Sequence, residues 1–205
     1  MHYRTVLLVA AIAAGVGVKA QAQDRWAGFY GGVSVNSNKT TASVGANATH
    51  RYKTSNNISI SGLYAGFNFA GNGGFVWGPE IGITALDNKG TKTDVALGGS
   101  QFQGSYLISP HLRAGWASDK LFFYGTAGFG ISDAGVKPAG VGGKTKHTGY
   151  SYGVGVEMAI NDRWSARLEA TKYDFGKAKA QSFGGSLQRV NTDMRMISLG
   201  ISRKF

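Results

Sequence analysis

Six ionisable side chains stand on the small and polar face of alternating segments: Glu80, His111, Arg113, Glu157, Arg167 and Glu169. Three carboxylates, two guanidinium groups and one imidazole can pair into a network if the fold brings them together. A buried charge without a partner costs several kcal/mol, so mutual pairing is expected. Such a network has two uses. It can plug an interior, or it can line a narrow, gated ion path in which Arg and Glu exchange partners.

Hydrolytic chemistry needs a nucleophile and a base within hydrogen-bond reach, usually Ser, His and a carboxylate. Beyond the first 22 residues the histidines are His50 and His147, in connecting segments, and His111; no G-x-S-x-G elbow occurs. The chain has no cysteine, which removes thiol nucleophiles, thiolate metal sites and disulfides. Gly143-Lys144-Thr145 lacks the upstream glycine of a phosphate loop, where Pro138 stands instead. Gly128-Phe129-Gly130 and Gly153-Val154-Gly155 lack the third glycine of a dinucleotide loop. No catalytic, cofactor or metal site is therefore expected. A lipid A-modifying enzyme is the least favoured reading.

Charge gives a second set of candidates. The 205 residues carry 22 Lys and Arg against 11 Asp and Glu. MHYRTVLLVAAIAAGVGVKAQAQ combines Arg4, an apolar run from Val6 to Val18 and the small-residue pattern Ala20-Gln21-Ala22. This is the build of a secretory signal peptide over residues 1–22, cleaved after Ala22, with one domain over 23–205. The run is too short to span a bilayer as a helix. Losing Arg4 and Lys19 leaves a net charge of +9. Eleven cations fall in four long connections: Lys39, Arg51, Lys53, Lys89, Lys92, Lys137, Lys144, Lys146, Lys177, Lys179 and Arg189. Against them stand only Asp87, Asp94 and Asp133. An exported chain with this bias is expected to meet anionic surfaces such as lipopolysaccharide phosphates, each a screened contact of about 1 kcal/mol or less. Nucleic acid is not expected as a partner, because aromatic clusters do not interleave the basic residues. Any surface ligand is left open.

The elements that position these residues are strands. Eight segments alternate with period two: Gly28–Asn36, Ser61–Ala70, Phe75–Leu86, Ser105–Trp116, Leu121–Ser132, Ser151–Ile160, Trp164–Tyr173 and Thr192–Phe205. In the first, Phe29, Val33 and Val35 alternate with Tyr30, Gly32, Ser34 and Asn36. Short connections (Ala70–Gly74, Ala117–Lys120, Asn161–Arg163) alternate with long ones (about Ser37–Asn57, Asp87–Gln101, Asp133–Thr148, Gly176–Asn191). Strict segregation of loop length is the habit of an outer-membrane barrel, with short turns on the periplasmic side. One face of every segment is apolar; the other is mostly Gly, Ser and Thr, which suits a crowded lumen better than a water-facing surface. Trp26, Trp77, Tyr106, Trp116, Tyr152, Trp164 and Phe205 lie near segment ends, as interfacial girdles require. Backbone groups in lipid must all be paired, so the sheet must close. The expected fold is all-β: an eight-stranded antiparallel up-and-down transmembrane β-barrel. Its last strand pairs with its first, Thr192–Phe205 against Ala27–Asn36, and the six ionisable residues point into its lumen.

Several stretches carry a family resemblance. RWAGFYGG (Arg25–Gly32), TAGFGIS (Thr126–Ser132), YGVGVEMAINDRWSARLE (Tyr152–Glu169), KYDFG (Lys172–Gly176) and the closing strand to Phe205 are similar to the small outer-membrane β-barrel superfamily. The resemblance is to the porin-family and opacity-type surface proteins of Gram-negative bacteria in particular. It implies an eight-stranded barrel in the outer membrane with surface loops, and no single activity. It also implies that Phe205 is read as a signal by the barrel-assembly machinery. Arg203 stands where relatives usually carry an outward aromatic. The function expected is structural, supporting the envelope and presenting a basic surface for adhesion or lipopolysaccharide contact; a narrow porin-like channel is the alternative.

Overall fold

The computed structural model describes residues 25–44, 50–55, 59–89, 101–132, 135–137, 147–183 and 186–205. Side chains are described for 25–40, 62–86, 106–132, 147–176 and 193–205. The expected leader, 1–22, lies outside these residues.

Ten strands form one antiparallel sheet: β1 (Gly28–Val44), β2 (His50–Ser55), β3 (Ser59–Ala70), β4 (Phe75–Lys89), β5 (Gln101–Ala117), β6 (Leu121–Ser132), β7 (Gly135–Lys137), β8 (His147–Ala159), β9 (Trp164–Phe183) and β10 (Ser186–Lys204). They make eight staves. The β2 strand pairs with the outer half of β1 and β3 with the inner half, so the two are one stave in two pieces. Likewise β7 pairs with β5 beyond the end of β6 and continues that stave. The barrel closes as expected, with β1 on β10 from Tyr30↔Lys204 to Val44↔Val190. Phe205 adds a last bond, its N–H donating to the carbonyl of Phe29 at 3.0 Å.

Two sequence expectations need correction. The stretches Ser37–Val44, His50–Ser55, Lys177–Phe183 and Ser186–Asn191, expected as loop, are strand. Their sequences are mostly polar or small and carry no apolar stripe of period two, and their hydrogen bonds to neighbouring staves decide their structure instead. Trp26, expected in a girdle, is only 6% exposed and sits inside the lumen. Its ring packs on Phe122 at 5.6 Å, and its indole N–H donates to the Ser118 carbonyl at 3.0 Å. With Val76, Ala117, Phe122 and Tyr124 it forms an apolar cluster at the short-turn end. A short ion pair from Arg25 to Asp162, 3.1 Å, ties this segment to the β8–β9 turn.

The pleat divides the residues as the alternation requires. Outward side chains are large and apolar, among them Val33, Leu63, Ile81, Leu112, Val154 and Leu199. Trp77, Trp116, Trp164 and Phe205 project outward at the short-turn edge. Inward, tyrosines alternate with glycines across neighbouring staves. A Cβ added at Gly66 would strike the Tyr30 hydroxyl, one at Gly32 the Tyr64 ring, one at Gly155 the Tyr124 ring and one at Gly130 the Tyr173 ring, all at 2.4–2.7 Å. The first three rings lie across a bare stretch of the adjoining stave, and Tyr173 on β9 reaches past β8 to Gly130 on β6, each covering backbone that no side chain protects.

Gly155 is the cleanest test, since the three atoms nearest to an added Cβ all belong to the Tyr124 side chain. Gly155→Ala is expected to destabilise the barrel by about 1–3 kcal/mol through overpacking. The same substitution in a Tyr124→Leu background should cost little, measured by urea unfolding of the refolded protein. Equal costs in both backgrounds would show that Tyr124 is not what the glycine accommodates.

Candidate functional site in the lumen

All eight staves send a side chain into one layer of the lumen. Glu80 on β4 is its hub. One oxygen, Oε2, accepts from the Tyr30 hydroxyl at 2.6 Å, from Arg113 Nη1 at 3.2 Å and from Arg167 Nη1 at 2.6 Å. Arg113 reaches onward, donating from Nη2 to Glu157 Oε2 at 2.6 Å. Ser165 donates to the other Glu157 oxygen. Glu169 accepts from the Tyr124 hydroxyl at 3.1 Å and from Thr171 at 2.8 Å. Tyr64 on β3 and Ser202 on β10 share a hydrogen bond of 2.8 Å.

Aromatic faces complete the layer. The Arg113 guanidinium carbon lies 4.8 Å from the Tyr30 and Phe122 ring centroids and 4.5 Å from that of Tyr124. Arg167 lies 3.4 Å over Tyr64. The Nε of each arginine has no hydrogen-bond acceptor, and stacked ring faces are its surroundings instead. Arg113 is 1% exposed, so its pairing with two carboxylates and three rings replaces water entirely.

His111 faces Glu80 directly across the β4–β5 ladder. Its Nδ1 lies 3.1 Å from the Ser109 carbonyl, an acceptor only, so Nδ1 carries a proton and donates. Nε2 lies 3.3 Å from Glu80 Oε1, an ion pair when the imidazole holds its second proton. In that state two arginines and one imidazolium balance the three carboxylates. Thus the structure brings Glu80, His111, Arg113, Glu157 and Arg167 into direct contact, with Glu169 joined to the layer through Tyr124. Alternation puts Tyr30, Tyr64 and Tyr124 on the lumen face but does not show their part in the network. Each tyrosine meets its arginine from a different stave, which a linear pattern does not display.

Glu80, His111 and Glu169 offer ligand atoms within 4.8 Å of one another, the nearest approach to a metal site among the described residues. Glu80 and Glu169 are already engaged by two guanidinium groups, two phenols and a threonine, so a cation would have to displace those partners. Of the eleven surface cations expected to meet anions, Lys39 is described in full and is exposed. Arg51, Lys53, Lys89, Lys137, Lys177, Lys179 and Arg189 lie on strands, with side chains outside the described residues; Lys92, Lys144 and Lys146 lie outside them altogether. Arg203 occupies the short-turn edge. Its guanidinium lies 5.3 Å from the Phe205 ring and 5.9 Å from that of Trp164, so it is part of the girdle in which it replaces an aromatic.

A closed, lipid-faced barrel with a filled polar lumen defines an integral outer-membrane protein. The family model described as outer membrane protein beta-barrel domain matches residues 8–205, and the chain belongs to that family. It is 25% identical over 162 residues to the 31 kDa outer-membrane immunogenic protein of Brucella melitensis, covering 71% of this chain and 66% of the relative. It is 28% identical over 143 residues to the 22 kDa outer membrane protein of Rhizobium leguminosarum, covering 70% of this chain and 64% of the relative. The chain thus spans just under two thirds of the length of these relatives. Among solved structures, Ail, the attachment invasion locus protein of Yersinia pestis, matches with a TM-score of 0.51 at 14% identity, covering 87% of this chain and 99% of that one. That likeness is one of fold.

Proposed function

We propose that this protein is a sealed structural barrel of the outer membrane, supporting the envelope and presenting a basic surface, rather than a channel or an enzyme. The observation that carries this reading is the layer fed by all eight staves. Its charges are paired through Glu80, and its gaps are filled by Tyr30, Tyr64 and Tyr124. The Trp26 cluster backs it on one side; Tyr173, stacked on Phe175, with Met194 and Met196 backs it on the other. An ion crossing would have to break paired buried charges at several kcal/mol each.

Export by a cleaved leader over 1–22 belongs to the same reading and is supported by the apolar run Val6–Val18 and the small-residue pattern Ala20-Gln21-Ala22 after it. So does recognition of Phe205 by the assembly machinery, supported by its exposed ring on the closing strand. Contact with lipopolysaccharide is supported by the Lys and Arg carried on the extended strands. Attachment, the property in the name of Ail, is a candidate surface role.

Planar-bilayer recording tests the seal. The purified barrel is expected to give no steady conductance. Steady conductance that disappears when Arg113 or Arg167 is changed would establish the channel instead. Lipid A mass spectra from cells with and without the protein should be identical; a new lipid A species would establish an enzyme.

A further inference from the structure

The outer face carries a row of cations that the linear sequence conceals. Lys39 on β1 is the cross-strand partner of Arg195 on β10, and Arg195 is the partner of Lys172 on β9. All three share the outward parity of Val33, Leu199 and Leu168. Lys39 and Arg195 are exposed; Lys172 is half-buried, its Nζ 5.8 Å from the ring of Tyr152, its partner on β8. Adjacent strands lie about 4.8 Å apart, so the three cationic residues rise from backbone positions within about 10 Å of one another. Like charges set directly opposite destabilise a sheet. Among the described residues, no carboxylate is within ion-pairing distance of any of the three.

The row lies at a boundary. Its inward neighbours along the barrel are Ser37, Ile197, Ala170 and Val154, followed by Val35, Leu199, Leu168 and Val156. This is the start of the apolar band. On the other side come Thr41, Asp193, Asp174 and Tyr150. The short turns occupy the far end, so this boundary faces the outer leaflet. An anion meeting the row must therefore be carried at headgroup depth on a lipid whose chains lie against Ile197, Ala170 and Val154.

We propose that Lys39, Arg195 and Lys172 form a seat for a phosphate of an outer-leaflet phosphorylated glycolipid, the lipid A part of lipopolysaccharide. The next row suits that ligand. Asp193 and Asp174, the latter already accepting from the Gly176 N–H through Oδ1 at 2.9 Å, leave carboxylate oxygens on that row as acceptors for sugar hydroxyls. The seat depends on the outer-membrane placement of the barrel and not on its closed lumen, so conductance would leave it standing.

The test is native mass spectrometry of the full refolded barrel titrated with lipid A, with dephosphorylated lipid A, with phosphatidylglycerol and with inorganic phosphate. Lipid A is expected to bind, the dephosphorylated form at least tenfold more weakly. Each of Arg195→Gln and Lys172→Gln should weaken lipid A binding about fivefold. Lys204→Gln, at the opposite edge, should leave it unchanged. Heat-modified gel mobility reports folding of each variant, and Lys39→Gln, a change at an exposed side chain, serves if the other two fold poorly. Equal binding of the dephosphorylated lipid, or unchanged binding in folded variants, overturns the seat. Equal competition by phosphatidylglycerol or inorganic phosphate overturns the glycolipid assignment.

Discussion

Arg113→Met is expected to lower the unfolding free energy of the barrel by about 3–5 kcal/mol, the cost of removing one partner from a buried ionic pair. Methionine fills much of the volume and keeps contact with the rings of Tyr30, Phe122 and Tyr124, so the loss reports charge rather than a cavity. What it leaves behind is Glu157, 3% exposed, with Ser165 as its remaining side-chain donor, and Glu80 with Arg167, Tyr30 and His111. Glu157→Gln removes the stranded charge, so the Arg113→Met/Glu157→Gln double variant should recover stability relative to the sum of the singles. A coupling of about 1–3 kcal/mol is expected for residues in direct contact. The measurement is urea unfolding in lipid vesicles, followed by tryptophan fluorescence. Strictly additive losses would show that Arg113 and Glu157 do not depend on each other. A loss under about 1 kcal/mol for Arg113→Met would reduce the network to packing.

The architecture was legible because one physical signal repeats. A strand between lipid and a packed lumen must alternate apolar with small or polar residues, and Ser61–Ala70 or Trp164–Thr171 do so without interruption. Closure was legible for a similar reason: SLGISRKF alternates up to Phe205, and an unpaired last strand has no place in lipid. The strand extensions were not, because Ser37–Val44 is mostly polar or small and alternation carries no information there. Trp26 was misplaced because an aromatic just before a strand reads the same whether its ring meets lipid or turns inward. The partnership of Ser118 and Phe122 with it is made by residues far along the chain. The ionisable lumen residues could be gathered from parity alone, but their partners could not. Which tyrosine lies over which arginine, and which glycine leaves room for it, depends on register between staves. The same limit hid the outer cations: Lys172 and Arg195 lie on separate segments and become neighbours of Lys39 only when the β1–β10–β9 ladders are in place.

Leu199→Arg should cost about 2–4 kcal/mol in a bilayer, because Leu199 stands at the middle of the apolar band. Its sequence position is midway between Arg203, in the short-turn girdle, and Arg195, in the outer row. From one arginine to the other the strand runs about 27 Å, or about 20 Å along the axis at a tilt of about 40°. The outward residues between them are Ile201, Leu199 and Ile197. Val35 and Leu168 flank Leu199 on the adjoining strands, so no polar group is at hand for a guanidinium placed there. Ser37→Arg, one row inside Lys39, is the matched control: near the interface an arginine snorkels to headgroup phosphate, and the expected cost is about 0–1 kcal/mol. The two variants add the same charge to the same face at different depths, and Leu199→Ser measures the part of the cost that comes from losing the leucine. Guanidinium-induced unfolding in lipid vesicles compares them. If Leu199→Arg costs no more than Ser37→Arg, the apolar exterior does not sit in hydrocarbon, and the outer row would not lie at headgroup depth. A depth-dependent difference places both rows of arginine at the two edges of the band.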